Sequence, residues 1–283
     1  MIRLPTSVLA GALALALVLP AAAQQGGPPL RTAVDGTFAP HAMPKMGGGV
    51  EGFQIDLFTE VARRMKREIQ IDSASFSGLI PAMNAGRYDF LAAPVTATKE
   101  RAESLLFTEG YLYTEYQFLI RKGSPPLTRL EDLKGKVVSV NKGSAYDGWA
   151  RANAGKYGFE VQSFDTNPDA IQAVLAGRAY AILAGNTGNA WAAKRNPQLE
   201  LSMPLTETRA HWSAPFRKDS AELRNQIEEV LECMKLDGTI VKLSEKWFGA
   251  APAPDAAERT VFPGFGVPGL PGYDPTAHTP RCG

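Results

Sequence analysis

The chain has 283 residues, of which 45% are hydrophobic and 21% are charged, and its formal net charge is +1 at pH 7. This length suits one large globular domain or two of ordinary size. The near-neutral charge argues against nucleic acid or an anionic membrane surface as the main partner. The three histidines, His41, His211 and His278, are scattered without metal-ligand spacing, so we expect no metal and no cofactor.

Residues 1–23 have the pattern of a secretory signal peptide. Arg3 supplies a positive charge, and Val8–Leu19 is an apolar segment too short to span a bilayer comfortably. Residues 21–23 read Ala-Ala-Ala and offer a cleavage site after Ala23. We therefore expect an exported, soluble mature protein in the periplasm.

After this segment, predicted strands alternate with predicted helices. The strands are expected at Leu30–Val34, Ile69–Ile71, Phe90–Ala93, Tyr111–Ile120, Val137–Val140, Glu160–Phe164, Ala179–Ala184, Leu199–Met203 and His211–Phe216. One of the helices is predicted to begin with Asn167 as its N-cap and Pro168 at its first position. The alternation predicts the α/β class, with mostly parallel sheets.

The last 34 residues, 250–283, are rich in Pro, Gly and Ala and show no periodicity. We expect an irregular tail that is ordered only if something ties it down. The chain has two cysteines, Cys233 and Cys282, and export to an oxidising compartment is consistent with a disulfide between them. Two unpaired thiols are also consistent with the sequence.

The segment Tyr88–Arg101 carries the clearest chemical signal. Thr98 is a good N-cap, which places Arg101 in the first turn of a helix, where the helix dipole disfavours a cation. An arginine there is explained if an anion lies between it and the free N–H groups of the helix start. A solvated surface arginine is the alternative.

An internal repeat indicates two similar halves. Ile80–Pro94 aligns with Ile171–Gly185 at a constant offset (171 − 80 = 91), and both segments contain Ala-Gly-Arg. Two lobes with the same plan explain this repeat, and chance similarity of one helix–turn–strand unit is the alternative. The alignment makes Pro94 and Gly185 equivalent at the carboxyl ends of strands, where open α/β sheets bind ligands.

An ordered set of motifs resembles the bacterial extracellular solute-binding proteins of family 3, the amino-acid-type binding proteins of ABC importers. The motifs are Asp35–Phe38, Gly52–Leu57, Gly78–Ala82, Gly86–Asp89, Thr96–Arg101, Leu130–Val137, Gly143–Ser144, Asp169–Ala173, Gly177–Arg178, Asp237–Thr239 and Glu245–Gly249. The resemblance implies a two-lobed type II periplasmic-binding-protein fold with two hinge crossovers. It places lobe 1 at 28–121 plus 216–249, lobe 2 at 122–215 and the tail at 250–283.

The resemblance also implies a function and a site. A monomer would capture a small carboxylate-bearing solute between its lobes and deliver it to the membrane permease subunits of an importer. Arg101 matches the residue that grips the α-carboxylate, for which only arginine offers a bidentate fork. The other matching positions are Thr96, Asp35, Phe38, Phe76, Pro94, Asn141, Gly143, Ser144, Ala145 and Gly185.

Two of these positions depart from the family pattern. The family usually has Asp at the position of Gly185, where it pairs with an α-ammonium group, and Gly or Ser at the position of Pro94. The carboxylate half of the expected site is therefore intact, whereas the ammonium half is not. An acid from another part of the chain would restore the ammonium half of the site, and Asp35, Glu115 and Asp147 are candidates.

Two further functions remain open at this stage. The family resembles cyclohexadienyl dehydratases, which use the same scaffold for acid–base chemistry; such an enzyme needs an ionisable group in the cleft, and Asp35 or Glu115 could supply one. The unusual tail instead suits a periplasmic partner protein whose cleft has lost its ligand.

Overall fold

The computed structural model describes residues 27–282, so the predicted signal peptide lies outside the described residues. The strands are β1 Leu30–Val34, β2 Met43–Pro44, β3 Val50–Glu51, β4 Ile69–Ser73, β5 Val95–Thr96, β6 Leu105–Phe107, β7 Leu112–Arg121, β8 Val137–Asn141, β9 Glu160–Phe164, β10 Ala181–Gly185, β11 Leu199–Ser213 and β12 Pro215–Arg217. The helices are α1 Phe53–Arg64, α2 Phe76–Asn84, α3 Lys99–Ser104, α4 Ala145–Tyr157, α5 Asn167–Leu175, α6 Asn186–Arg195, α7 Ala221–Leu236 and α8 Thr239–Phe248, with a 3₁₀ turn at Leu130–Leu133. None of these helices combines the length and apolar character needed to cross a bilayer.

The sheets are mixed, where the sequence predicted mostly parallel ones. The largest sheet has the order β5-β11-β7-β10-β8-β9. The β1–β4, β8–β9 and β8–β10 pairs are parallel, whereas β7 and β11 pair antiparallel with each other and β10 pairs antiparallel with β7. Parallel pairs arise where a helix connects two strands. The antiparallel pair arises because β7 carries the chain into lobe 2 and β11 carries it back.

Three of the predicted strands take a different form in the structure. Within the apolar run 90–93 only Phe90 forms a bridge, with Phe216. The Thr32 hydroxyl replaces ladder bonds there, donating to the Phe90 carbonyl at 2.9 Å and accepting from the Ala92 amide at 2.8 Å. The two strands predicted at 199–203 and 211–216 form one long strand, β11, with two irregularities in its register, followed by β12.

The helix starts are fixed by hydroxyl caps. Thr98, Ser144 and Thr166 each accept a backbone N–H from the first turn of α3, α4 and α5. Thr166 therefore takes the capping role predicted for Asn167. This shift by one residue places Asn167 inside the helix, where its buried side chain is available for other contacts.

The chain has separate cores in its two halves. One core contains Phe53, Leu57 and other residues of α1, together with Leu112 and Trp212. A second core runs from Tyr116 to Leu205. The chain thus passes between cores within β7 and within β11. We propose that the lobes divide there, several residues before the predicted boundaries at 121 and 215.

The tail is ordered against lobe 1, although it has no helix or paired strand beyond an isolated bridge between Phe265 and Asp274. The structure joins Cys233 of α7 to Cys282 by a disulfide. Val267 of the tail is buried in a third apolar cluster, together with Leu79 and Met83 of α2. These ties supply the order that the composition of the tail does not predict.

Candidate ligand-binding site

A cavity lies between the two lobes, and both contribute to its wall. It is lined by Asp35, Phe38, Phe76, Pro94, Thr96 and Arg101 from lobe 1, and by Asn141, Ser144, Ala145, Tyr146 and Asn167 from lobe 2. Its volume, open mouth included, is about 370 Å³. The lobes lie close together around it, since Arg101 contacts Gly143 and Asp35 contacts Asn141 across the cleft.

Arg101 reaches the cavity from the first turns of α3. Its amide donates to the Thr98 hydroxyl at 3.2 Å, which holds the helix start in place. Its guanidinium donates to the Thr96 carbonyl at 3.0 Å and, across the cleft, to the Gly143 carbonyl at 3.1 Å. The Phe76 ring lies 5.7 Å from the guanidinium carbon. These contacts orient the planar group at the cavity wall.

The charge of Arg101 has no carboxylate partner among residues 27–282. Burial lowers the pKa of Arg101, because the cleft removes water from the charged form. A guanidinium still stays protonated in proteins. The cavity wall therefore holds a desolvated cation, which a carboxylate would stabilise by two parallel hydrogen bonds.

Asp35 lies at the wall as well, and it is only 2% exposed. One of its oxygens accepts from the Thr37 amide at 3.0 Å and from the Thr37 hydroxyl at 2.7 Å. The other oxygen accepts from the Asn141 side-chain amide at 3.0 Å. Since Asn141 belongs to lobe 2, this network joins the lobes. Asp35 is the one carboxylate among the residues that line the cavity.

Two amide oxygens of lobe 2 are left without a partner. Asn141 and Asn167 are 7% and 4% exposed, and within the described part of the chain the Oδ1 atom of each accepts no hydrogen bond. The orientation of Asn141 is set because its Nδ2 donates to Asp35. Buried acceptors of this kind are costly to leave unpaired. They indicate a ligand group that donates N–H or O–H bonds.

The turn before α4 differs from the expected arrangement. Gly143 was predicted to contact the ligand, but its amide donates to the Asp147 carboxylate at 2.9 Å, and Gly143 is not part of the cavity wall. The Ser144 hydroxyl accepts from the Asp147 amide at 3.1 Å. Gly143 instead contributes its carbonyl to Arg101. Ser144 and Ala145 do line the cavity, at the positive end of the α4 dipole.

Gly185, a predicted ligand contact, is not among the residues that line the cavity. A Cβ on Gly185 would lie 2.6 Å from the Tyr146 hydroxyl and 3.1 Å from both the Thr114 hydroxyl and the Trp212 ring. The Tyr146 side chain therefore covers this strand end. Burial raises the pKa of Tyr146, so it is a neutral group. Pro94, the repeat partner of Gly185, does line the cavity.

Of the three acids considered for the missing charge, only Asp35 reaches the cavity. Asp147 is buried, and its carboxylate binds Arg151 at 2.7 Å, the Ser163 hydroxyl at 2.8 Å and the Gly143 amide. Glu115 is not part of the wall. No second carboxylate is therefore available to a ligand at this wall.

Two wall residues, Tyr146 and Asn167, were missed by the sequence reasoning. Asn167 stands at the repeat position of Phe76, another wall residue (167 − 76 = 91), so the repeat carried a signal for it. Assigning Asn167 as a helix cap obscured that signal. Tyr146 directly follows the predicted contact Ala145, but nothing in its spacing indicates that it turns toward β10.

Comparison with known proteins shows the family to which this fold belongs. Residues 30–250 match the model of the bacterial extracellular solute-binding proteins, family 3. A protein of Vibrio harveyi named as an amino-acid ABC transporter-binding protein, PatH, is 28% identical over 237 residues, which are 83% of this chain and 94% of that protein.

Two solved structures are similar as well. An ancestral arginine-binding protein bound to arginine is 32% identical, with a TM-score of 0.75 over 80% of this chain and 100% of that chain. The ancestral amino acid-binding protein AncCDT-1, a precursor of cyclohexadienyl dehydratase, is 29% identical, with a TM-score of 0.72 over 78% and 95% of the two chains. The chain thus belongs to the bacterial extracellular solute-binding proteins of family 3.

Proposed function

We propose that this protein captures a small carboxylate-bearing solute, an amino acid or a related organic acid, between its lobes. The observation that carries the proposal is Arg101, a desolvated guanidinium at the cavity wall without a carboxylate partner in the described chain. A ligand carboxylate would supply the missing charge and two charge-assisted hydrogen bonds. The Phe38 and Phe76 rings would cover the apolar part of the ligand.

We further propose that the loaded protein acts in the periplasm, as a monomer, and passes its ligand to the membrane subunits of an ABC importer. The likeness to PatH supports this role. The hydrogen bonds that cross the cleft support a closed form that such subunits could distinguish. They join Arg101 to Gly143, Asp35 to Asn141, Asn167 to Thr37 and His41 to Thr187.

The test replaces Arg101 by Lys, which keeps the charge and loses the planar fork. We expect the variant to bind its carboxylate ligand at least tenfold more weakly, since one charge-assisted hydrogen bond contributes about 1.5–3 kcal/mol. Isothermal titration against amino acids and 2-oxo acids would measure this. Arg178→Lys is the matched control, because Arg178 is exposed and lies outside the cavity wall. Unchanged affinity in the Arg101 variant would contradict the assignment of the carboxylate site.

An enzyme on the same scaffold is the second candidate, and the likeness to AncCDT-1 favours considering it. Asp35 is the acid at the cavity wall, but two donors of Thr37 and one of Asn141 already hold its carboxylate. A general acid or base must be free to exchange a proton with its substrate. We therefore expect no turnover of prephenate or arogenate in an ultraviolet assay. Measurable turnover that Asp35→Asn abolishes would establish the enzyme instead.

A further inference from the structure

The charged residues of the cavity wall restrict the class of ligand that the cavity can hold. Apart from Arg101, Asp35 is the only wall residue with a formal charge. Asp35 forms no ion pair with any lysine, arginine or histidine among residues 27–282. The cavity thus presents one positive and one negative group to its contents.

Two neutral hydrogen-bond acceptors belong to the same network as the Asp35 carboxylate. The Asn141 amide donates to Asp35, and its Oδ1 has no partner within the described residues. Asn167 is joined to the same network, since its backbone amide donates to the Thr37 hydroxyl at 3.4 Å, and its Oδ1 is also unpartnered. A carboxylate and two amide oxygens therefore belong to one connected group, and all three residues line the cavity.

We infer that the ligand is a zwitterion of zero net charge, whose single cationic N–H group faces Asp35, Asn141 and Asn167. This inference rests on the proposed carboxylate contact with Arg101. An ammonium group provides three N–H donors, which suits two unpartnered amide oxygens and one carboxylate. Its charge balances Asp35, as the ligand carboxylate balances Arg101.

The same balance excludes two neighbouring classes of ligand. A cationic amino acid such as arginine or lysine brings two positive groups, and the second would lie in the cleft against neutral acceptors. An unpaired buried charge is strongly destabilising. A 2-oxo acid has no positive group. It would leave Asp35 without a counter-charge and both amide oxygens without a hydrogen-bond donor. The ligand differs in charge from the arginine held by the similar ancestral protein.

The packing around Gly185 supports the same inference. A side chain there would meet Tyr146 and Thr114, so the strand end of β10 has no room for an additional acid. The carboxylate and the unpartnered amide oxygens at the wall are those of the Asp35 network. Asn141 and Asn167 are thus the specificity-determining residues of this cavity.

The wild-type protein is tested first, because that comparison needs no substitution. Titration calorimetry would use L-serine, L-glutamine, L-leucine and L-phenylalanine as net-neutral probes, L-arginine and L-lysine as cationic ones, and the 2-oxo acid of whichever neutral probe binds best. We expect that neutral amino acid to bind at least tenfold more tightly than both cationic amino acids and than its own 2-oxo acid. Equal or tighter binding of a cationic amino acid or of the 2-oxo acid would overturn the inference.

The substitution Asn167→Asp then adds a second carboxylate to the same network. We expect it to raise the affinity ratio of L-arginine to the best neutral amino acid at least tenfold. Gln162→Glu adds the same charge on the exposed surface of lobe 2 and should leave the ratio unchanged. A ratio that moves equally in both variants, or in neither, would overturn the role of Asn167. If no carboxylate binds at all, the proposed function fails as well; if Arg101→Lys weakens binding but charge selectivity is absent, only this inference fails.

Discussion

Gly185 shows how a single atom decides what a position can do. A Cβ there would lie 2.6 Å from the Tyr146 hydroxyl, closer than packed atoms tolerate. We therefore expect Gly185→Ala to destabilise the protein by about 1–3 kcal/mol, as overpacking of a filled interior does. Removing the hydroxyl in the double variant Gly185→Ala, Tyr146→Phe should restore part of that loss. Thermal unfolding of the two single variants and the double variant would measure the coupling.

A substitution at a second glycine provides the control for this double-mutant cycle. Gly155 lies within α4, and a Cβ there would meet no heavy atom within 4 Å. Gly155→Ala should stabilise the protein by about 0.5–1 kcal/mol, because alanine loses less backbone entropy in a helix. If Gly185→Ala unfolds at the same temperature as the wild type, Tyr146 does not restrict this position.

At the scale of elements, α7 and the tail form one unit through buried charges. Lys235 of α7 is 4% exposed, forms an ion pair with Glu109 and donates to the Gly110 carbonyl at 2.6 Å and the Thr260 carbonyl of the tail at 2.8 Å. We expect Lys235→Met to cost about 3–5 kcal/mol, because it leaves the Glu109 carboxylate buried without its cation. Chemical denaturation would measure the loss.

A second substitution, at Glu109, separates the effect of the buried charge on stability from the effect of packing. The double variant Lys235→Met, Glu109→Gln removes both charges, and it should recover much of the stability lost by the single variant. Lys242 is exposed, and Lys242→Met should change the unfolding free energy by less than about 0.5 kcal/mol. A double variant no more stable than Lys235→Met would show that the ammonium contacts with the Gly110 and Thr260 carbonyls, and not the ion pair, hold this unit together.

At the scale of the whole molecule, buried titratable groups set the pH range of stability. Burial lowers the pKa of His41 to about 3 and that of His211 to about 4. Burial raises the pKa of Glu228 to about 8 and that of Glu232 to about 7. The histidines bind fewer protons when folded, so stability falls as the pH drops below 6.5. The glutamates bind more protons when folded, so stability falls as the pH rises from 4.5 to 8.

The histidines lower stability toward acid pH and the glutamates lower it toward alkaline pH. Together they predict maximal stability between pH 4.5 and 6.5. Melting temperatures measured from pH 4 to 9 would test this. Glu228→Gln removes one titrating group and should flatten the decline on the alkaline side, while the decline on the acid side remains. A melting temperature that rises between pH 6.5 and 8 would contradict the assignment of Glu228 and Glu232 as protonated buried acids.

Local signals predicted much of the fold and part of the site. The cap residues located the start of α3 at Thr98 and the start of α5 to within one residue, because capping depends on neighbours within a few positions. The offset of 91 residues also aligns α2, Phe76–Asn84, with α5, Asn167–Leu175. Arg101 drew attention from sequence alone, because a cation is out of place at a helix start, and the structure puts it at the cavity wall.

The remaining features depend on contacts between segments far apart in the chain. Asn167 has its side chain at the cavity because Thr166 takes the cap, and its acceptor stays unpaired because the lobes meet there. The 250–282 segment is ordered because α7 places Lys235 and Cys233 against it. The sequence by itself determined the α/β class, the repeat and the cation at the site. Only the tertiary structure decided which acid and which unpaired amide oxygens share the cavity wall with that cation, because burial and charge balance depend on groups that meet only after folding.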